Sequence, residues 1–91
     1  MNRNTATPVI KTPPPGPISQ RWTQYHMANC AEGIYFHGLV WDRSKPAIGP
    51  FCTDPDGNVI LDLSSHGAAF PLGYNNKELI ETATRAASVN P

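Results

Sequence analysis

Apolar residues along this chain fall into short patterned stretches separated by prolines, glycines and polar runs. Gly16-Pro17 opens the first, with proline preset for the first turn of a helix. Ile18, Trp22 and Tyr25 follow at i, i+4 and i+7, one apolar stripe that fades by Asn29 before Gly33, so a helix is predicted over 17–29. Residues 34–41, IYFHGLVW, are rich in aromatic and branched side chains and suit a strand, with Gly38 marking a bulge or a close backbone approach. Asp54-Pro55-Asp56-Gly57-Asn58 is the clearest turn signal, with proline at a corner and glycine for a positive φ. Its flanks, 48–53 and 59–63, pair as a hairpin in which Val59, Leu61 and Leu63 share one face and Ile60 and Asp62 the other. Over 76–88, Leu79, Ile80, Ala83, Ala86 and Ala87 line one helical face. Asn75 stands as the cap with Glu78 three residues on, a capping box, and Glu81 with Arg85 makes a favourable i,i+4 pair.

Residues 1–16 read as a proline-rich extended arm, in which Pro13-Pro14-Pro15 favours polyproline II. The fold class is therefore an α+β fragment: an N-terminal helix, a small antiparallel hairpin and a C-terminal helix. With 91 residues, 10 of them proline, there is little scaffold to cover Trp22, Tyr35, Phe36, Trp41, Phe51, Phe70 and Tyr74. An apolar surface left uncovered marks an interface, so the chain reads as a piece of something larger.

Charge removes whole classes of partner. Seven bases balance seven acids and are scattered, which leaves no footprint for nucleic acid or an anionic membrane. No apolar run approaches the ~20 residues of a membrane span. The first residues carry neither an apolar signal core nor the bases of a transit peptide, so a cytoplasmic location is expected. Cys30 and Cys52 then read as free thiols.

Candidate chemistry is thin. His26 and Cys30 share a helix face at i,i+4, but neither they nor His37, His66 and Cys52 fall at finger or ribbon spacing, so no metal site is expected. Aligning Gly57 with position 6 of a calcium loop puts Cys52 at position 1 and Leu63 at position 12, where carboxylates are required. Asp62, Ser64, Ser65 and His66 hold the residue types of a triad, yet sequence neighbours rarely converge in space. Lys11, Lys45 and Lys77 all read as solvated surface lysines.

Taken in order, the motifs resemble the N-terminal segment of class III pyridoxal-phosphate-dependent aminotransferases. The resemblance rests on Pro15-Gly16-Pro17-Ile18-Ser19, on Asp54-Pro55-Asp56-Gly57-Asn58-Val59-Ile60-Leu61-Asp62, and on Ser64 to Phe70 followed by Pro71-Leu72-Gly73-Tyr74 and a helix. The PGP start, the Asp-Leu-Ser-Ser run and Pro-Leu-Gly-Tyr look nearest the 4-aminobutyrate aminotransferase branch. Many relatives read G-H-x-H-P where this chain has Gly73-Tyr74-Asn75-Asn76-Lys77, and Val59-Ile60-Leu61 lacks the common tyrosine.

The resemblance implies a parent of the α/β, fold type I class, with residues 17–91 as the N-terminal part of its small domain. It implies pyridoxal 5'-phosphate as cofactor, an amino donor and a 2-oxo acid as substrates, and a homodimer or higher homo-oligomer. The Schiff-base lysine and the acid facing the pyridine nitrogen lie beyond this length in the family, so the chain alone is expected to be inactive. His66, Gly67 and Ala68 are placed beside the amino donor, at the substrate entrance near the dimer interface. The competing class is a small protein-binding module that uses its exposed aromatics and its proline-rich arm.

Overall fold

The structure, a computed structural model, describes residues 5–30, 40–64 and 68–89. At its centre strands β1 (Phe51–Thr53) and β2 (Val59–Leu61) pair antiparallel, with Phe51 opposite Leu61 and Thr53 opposite Val59. The hairpin is present but shorter than predicted, because its first arm turns back at Gly49-Pro50. Ile48 bridges to Phe51 there, while Gly49 bridges to Tyr74.

The connection is the five-residue turn 54–58, closed by the Asp54 amide on the Asn58 carbonyl at 3.0 Å. Gly57 takes φ +87° and its amide donates to the Asp54 carbonyl at 3.1 Å. Asp54 is buried, and its carboxylate accepts from both the amide and the side-chain Nδ2 of Asn58, each at 2.8 Å. Asn58 is fully buried and turns its Oδ1 outward to accept the amides of Lys11 and Thr12, at 2.7 and 2.9 Å. These bonds hold the N-terminal arm against the hairpin. Val9 adds an antiparallel bridge to Val59 that covers the free edge of β2.

Helix α1 spans Pro17–Asn29, as the periodicity predicts. Its N-cap residue is Gly16, which has no side chain to offer the exposed amides. Asp56 supplies the cap from the hairpin turn: its two carboxylate oxygens accept the Ile18 and Ser19 amides, each at 2.9 Å. Burial opposes the charge on Asp56, but the two amide bonds outweigh it and hold the carboxyl below its usual range. Glycine is required at position 16 because a Cβ there would press on the Asp56 carboxyl and stand 2.6 Å from Thr12 Oγ1. The predicted strand over 34–41 falls almost wholly on residues 31–39, outside the described residues.

The other edge of the hairpin is covered by residues 42–46. The Asp42 amide donates to the Thr53 carbonyl, and Thr53 Oγ1 donates to the Pro46 carbonyl at 2.6 Å. Lys45 is not the solvated lysine that the sequence suggests. Its Nζ donates to the Pro55 carbonyl at 2.7 Å and lies 3.6 Å from Asp42 Oδ2, so it clips this turn to the hairpin loop.

Among the described residues the apolar core consists of buried Ala47, Cys52 and Tyr74, with Trp41 and Phe70 packed against them. Trp41 and Tyr74 rings lie 4.9 Å apart and Phe70 and Tyr74 rings 5.3 Å apart. The two faces read from the alternation are kept apart: Leu61 is 42% and Leu63 82% exposed, whereas Asp62, on the other face, is 5% exposed. Burial of the acid is tolerated because Asp62 finds donors on Ser64 and Tyr74.

Helix α2 spans Lys77–Val89. Its cap is Asn76, whose Oδ1 accepts the Leu79 amide at 3.0 Å, one residue later than predicted. Asn75 instead takes φ +52° and donates from Nδ2 to the Ala47 carbonyl at 2.6 Å, anchoring the helix start to the core. Glu81 pairs with Lys77 at 3.9 Å, and Arg85 donates to Thr82, so the expected Glu81–Arg85 pair is replaced. No residue of α2 is buried, and Trp22 and Tyr25 on α1 remain more than half exposed. Among the described elements only β1 and β2 pack on one another, and no described helix is long and apolar enough to cross a membrane.

Two outcomes are expected from the turn. Asn58→Ala should lower unfolding stability by about 3 kcal/mol in urea titration, because two arm amides and the Asp54 carboxylate lose a partner. The Asp56 contribution is fully present above the usual Asp value of 3.8 and is lost as the pH falls through its lower folded-state value. Helical ellipticity of the Asp56→Asn chain should therefore lack the acid limb shown by the unaltered chain below that pH.

Candidate functional site

The stretch from Asp62 to Tyr74 leaves β2 and returns to the core beside Gly49. A single carboxylate ties its two ends. Asp62 Oδ1 accepts the Ser64 amide at 3.0 Å and the Ser64 hydroxyl at 2.7 Å, which makes a local Asx turn. Asp62 Oδ2 accepts the Tyr74 hydroxyl at 2.6 Å across twelve residues of sequence. Tyr74 is held a second time by its backbone, which exchanges hydrogen bonds with Gly49 at 2.7 and 3.1 Å. That close pairing explains Gly73, which has φ +85° and whose Cβ, were there one, would lie 2.8 Å from the Gly49 carbonyl oxygen.

Of the three residues expected beside an amino donor, His66 and Gly67 lie outside the described residues. Ala68 is described and exposed; it takes φ +66°, and its amide donates to the Ser64 carbonyl at 2.8 Å. A non-glycine residue in the left-handed region costs about 1 kcal/mol, so the Ser64 anchor holds a conformation that the backbone would not choose alone. Next to this stretch, an open pocket of about 340 Å³ lies between Gly49-Pro50 and residues 71–74, with Asp62 and Asn76 among its lining.

Beneath the stretch sits a buried thiol. Cys52 is fully buried, and burial pushes its thiol up, with the Asp62 and Asp54 charges adding to the effect. Burial also pushes the Tyr74 phenol up, reinforced by its bond to Asp62. Both groups stay neutral across the physiological range and serve as donors and packing, not as nucleophiles. The Asp62 carboxylate is engaged by Ser64 and Tyr74, which gives it a structural task in place of the triad role its neighbours suggest.

The residue types needed for pyridoxal chemistry do not fit here. Lys45 is fixed on carbonyls of the hairpin loop, the Lys77 side chain is 87% exposed, and Lys11 is exposed beside Gly57. None is the desolvated amine that a Schiff base requires. The buried Asp54 carboxylate faces Asn58 and is in no position to meet a pyridine nitrogen. No group of three or more histidine, cysteine or acidic side chains among the described residues forms a metal cluster. His26 Nδ1 and Cys30 Sγ do meet on α1, 3.2 Å apart.

Sequence reasoning missed the Asp62–Tyr74 partnership. Its signal is an acid directly after a strand and a tyrosine placed behind a glycine, but nothing in the spacing says that the two meet. The two cysteines supply a direct test of the burial described above. Iodoacetamide should alkylate exposed Cys30 within minutes, and Cys52 about a hundredfold more slowly until denaturant is added, as read by peptide mass spectrometry.

No family model matches the chain. Curated relatives do. A 4-aminobutyrate aminotransferase of Dictyostelium discoideum is 36% identical over 78 residues, which is 84% of this chain and 15% of that protein. The mitochondrial 4-aminobutyrate aminotransferase of Sus scrofa is 31% identical over 84 residues, 91% of this chain and 16% of that protein. A 4-aminobutyrate aminotransferase of Mycosarcoma maydis is 43% identical over 47 residues, 52% of this chain and 9% of that protein. The chain thus spans about one sixth of the length of the relatives that it matches over most of its own. The resemblance carried by the motifs holds on this second footing: the chain matches 4-aminobutyrate aminotransferases as a fragment of a class III aminotransferase does.

Proposed function

We propose that this chain is the N-terminal segment of a pyridoxal-phosphate-dependent aminotransferase that moves an amino group from an ω-amino acid resembling 4-aminobutyrate to a 2-oxo acid. The observation that carries the reading is the match, over most of the chain, to proteins named for that reaction. Pyridoxal 5'-phosphate supplies the electron sink for such transfers, and its attachment lysine and pyridine-facing acid belong to the part of the enzyme beyond this segment. The segment alone is inactive in this reading.

Its contribution is shape. Residues 17–91 form the opening part of the small domain and residues 1–16 an arm. His66, Gly67 and Ala68 line the entrance for the amino donor, where Gly67 and Ala68 leave room for an extended substrate. The stripe of half-buried Ile18 with exposed Trp22 and Tyr25, and the uncovered apolar face of α2, suit a segment that packs against the rest of the enzyme and its second subunit.

In the full-length enzyme, Gly67→Phe should lower kcat/KM for 4-aminobutyrate by about tenfold or more by filling the entrance. Unchanged kinetics would remove Gly67 from the substrate path. The 91-residue chain, mixed with pyridoxal 5'-phosphate, 4-aminobutyrate and a 2-oxo acid, should form no amino-acid product. Turnover by the chain itself would overturn the reading.

A further inference from the structure

We infer that Tyr74 is a positioning residue for the amino-donor entrance, acting through Asp62 and Ser64 on Ala68. The assignment rests on the proposed function for what Ala68 faces, but the relay consists of bonds in this chain. Tyr74 hydroxyl donates to Asp62 Oδ2 at 2.6 Å. The other oxygen of the same carboxylate holds the Ser64 amide and hydroxyl. The Ser64 carbonyl accepts the Ala68 amide and retains Ala68 at φ +66°. One phenol therefore reaches the entrance residue through three successive hydrogen-bonded steps.

The hydroxyl is not needed to hold Tyr74 itself. Its ring packs with Trp41 and Phe70, and its backbone is paired with Gly49 on both its amide and its carbonyl. Removing only the oxygen leaves those anchors in place and withdraws a donor from a carboxylate that is 5% exposed. A buried carboxylate short of a donor shifts towards another partner or towards water. The Ser64 turn shifts with it, and Ala68 loses its fixed register. Substrate docking depends on such placement, whereas reacting groups held elsewhere in the enzyme do not.

Tyr74→Phe is the test, with two readouts. In the chain, amide hydrogen exchange at Ser64 and Ala68 should speed up at least about fivefold while the Tyr74 and Gly49 amides keep their protection. In the full-length enzyme, KM for 4-aminobutyrate should rise about fivefold with kcat held within about twofold. Asp62→Asn added to Tyr74→Phe should recover part of the KM loss, because the buried charge leaves together with its donor. Unchanged exchange at Ser64 and Ala68 overturns the relay. Faster exchange with unchanged kinetics in an active enzyme overturns the positioning role alone, and a wild-type enzyme that does not transfer the amino group overturns the functional reading on which it rests. If Tyr74→Phe unfolds the chain, Ser64→Ala, which withdraws the hydroxyl bonded to the same carboxylate, takes its place and must speed exchange at Ser64 and Ala68; protection like that of the unaltered chain overturns the relay.

Discussion

Everything described here hangs on the polar side chains of one five-residue turn. Asp54 closes the turn on Asn58, Asn58 grips the backbone of the arm, and Asp56 caps the first helix. Each of the three reaches a different piece of chain, so the turn acts as a junction rather than a connector between two strands. A net contribution near 1 kcal/mol for an ordinary hydrogen bond understates such a junction, because removing one member strands several buried partners together.

This dependence on polar contacts follows from how little apolar surface is enclosed. Among the described residues, three buried apolar residues and two half-buried rings make the core, while both helices leave their apolar faces largely open. Hydrogen bonds and caps orient the helices; apolar burial does not seal them in place. That division fits a piece whose hydrophobic surfaces are completed by a larger body, and it accounts for the exposed aromatic pair Trp22 and Tyr25, whose rings meet edge to face 6.1 Å apart.

Local signals were legible where the physics is local. Pro17 and the Ile18–Trp22–Tyr25 spacing marked α1, and Asp-Pro-Asp-Gly-Asn marked the hairpin loop, because helix starts and turns are set by a few neighbouring dihedrals. The α2 cap was missed by one residue, since Asn75 and Asn76 both have capping side chains and only the contact with Ala47 separates them. Alternation separated the two faces of β2 but could not say which is buried once an acid has its own partners. For the candidate site, the small residues of the stretch were visible in the sequence, whereas the Asp62–Tyr74 bond that shapes it joins positions with no periodic relation. Ordered motifs carried the family resemblance where periodicity had nothing to say.

The cap on α1 also sets an order of events. Asp56 lies 38 residues after the Ile18 amide it receives, so on the ribosome the helix emerges long before its cap is made. A thirteen-residue helix with an unsatisfied first turn is marginal in water by itself. The first helix of the sequence therefore becomes permanent only once the hairpin turn has followed it, and nascent chains that stop short of the hairpin should present it as an open, protease-sensitive segment.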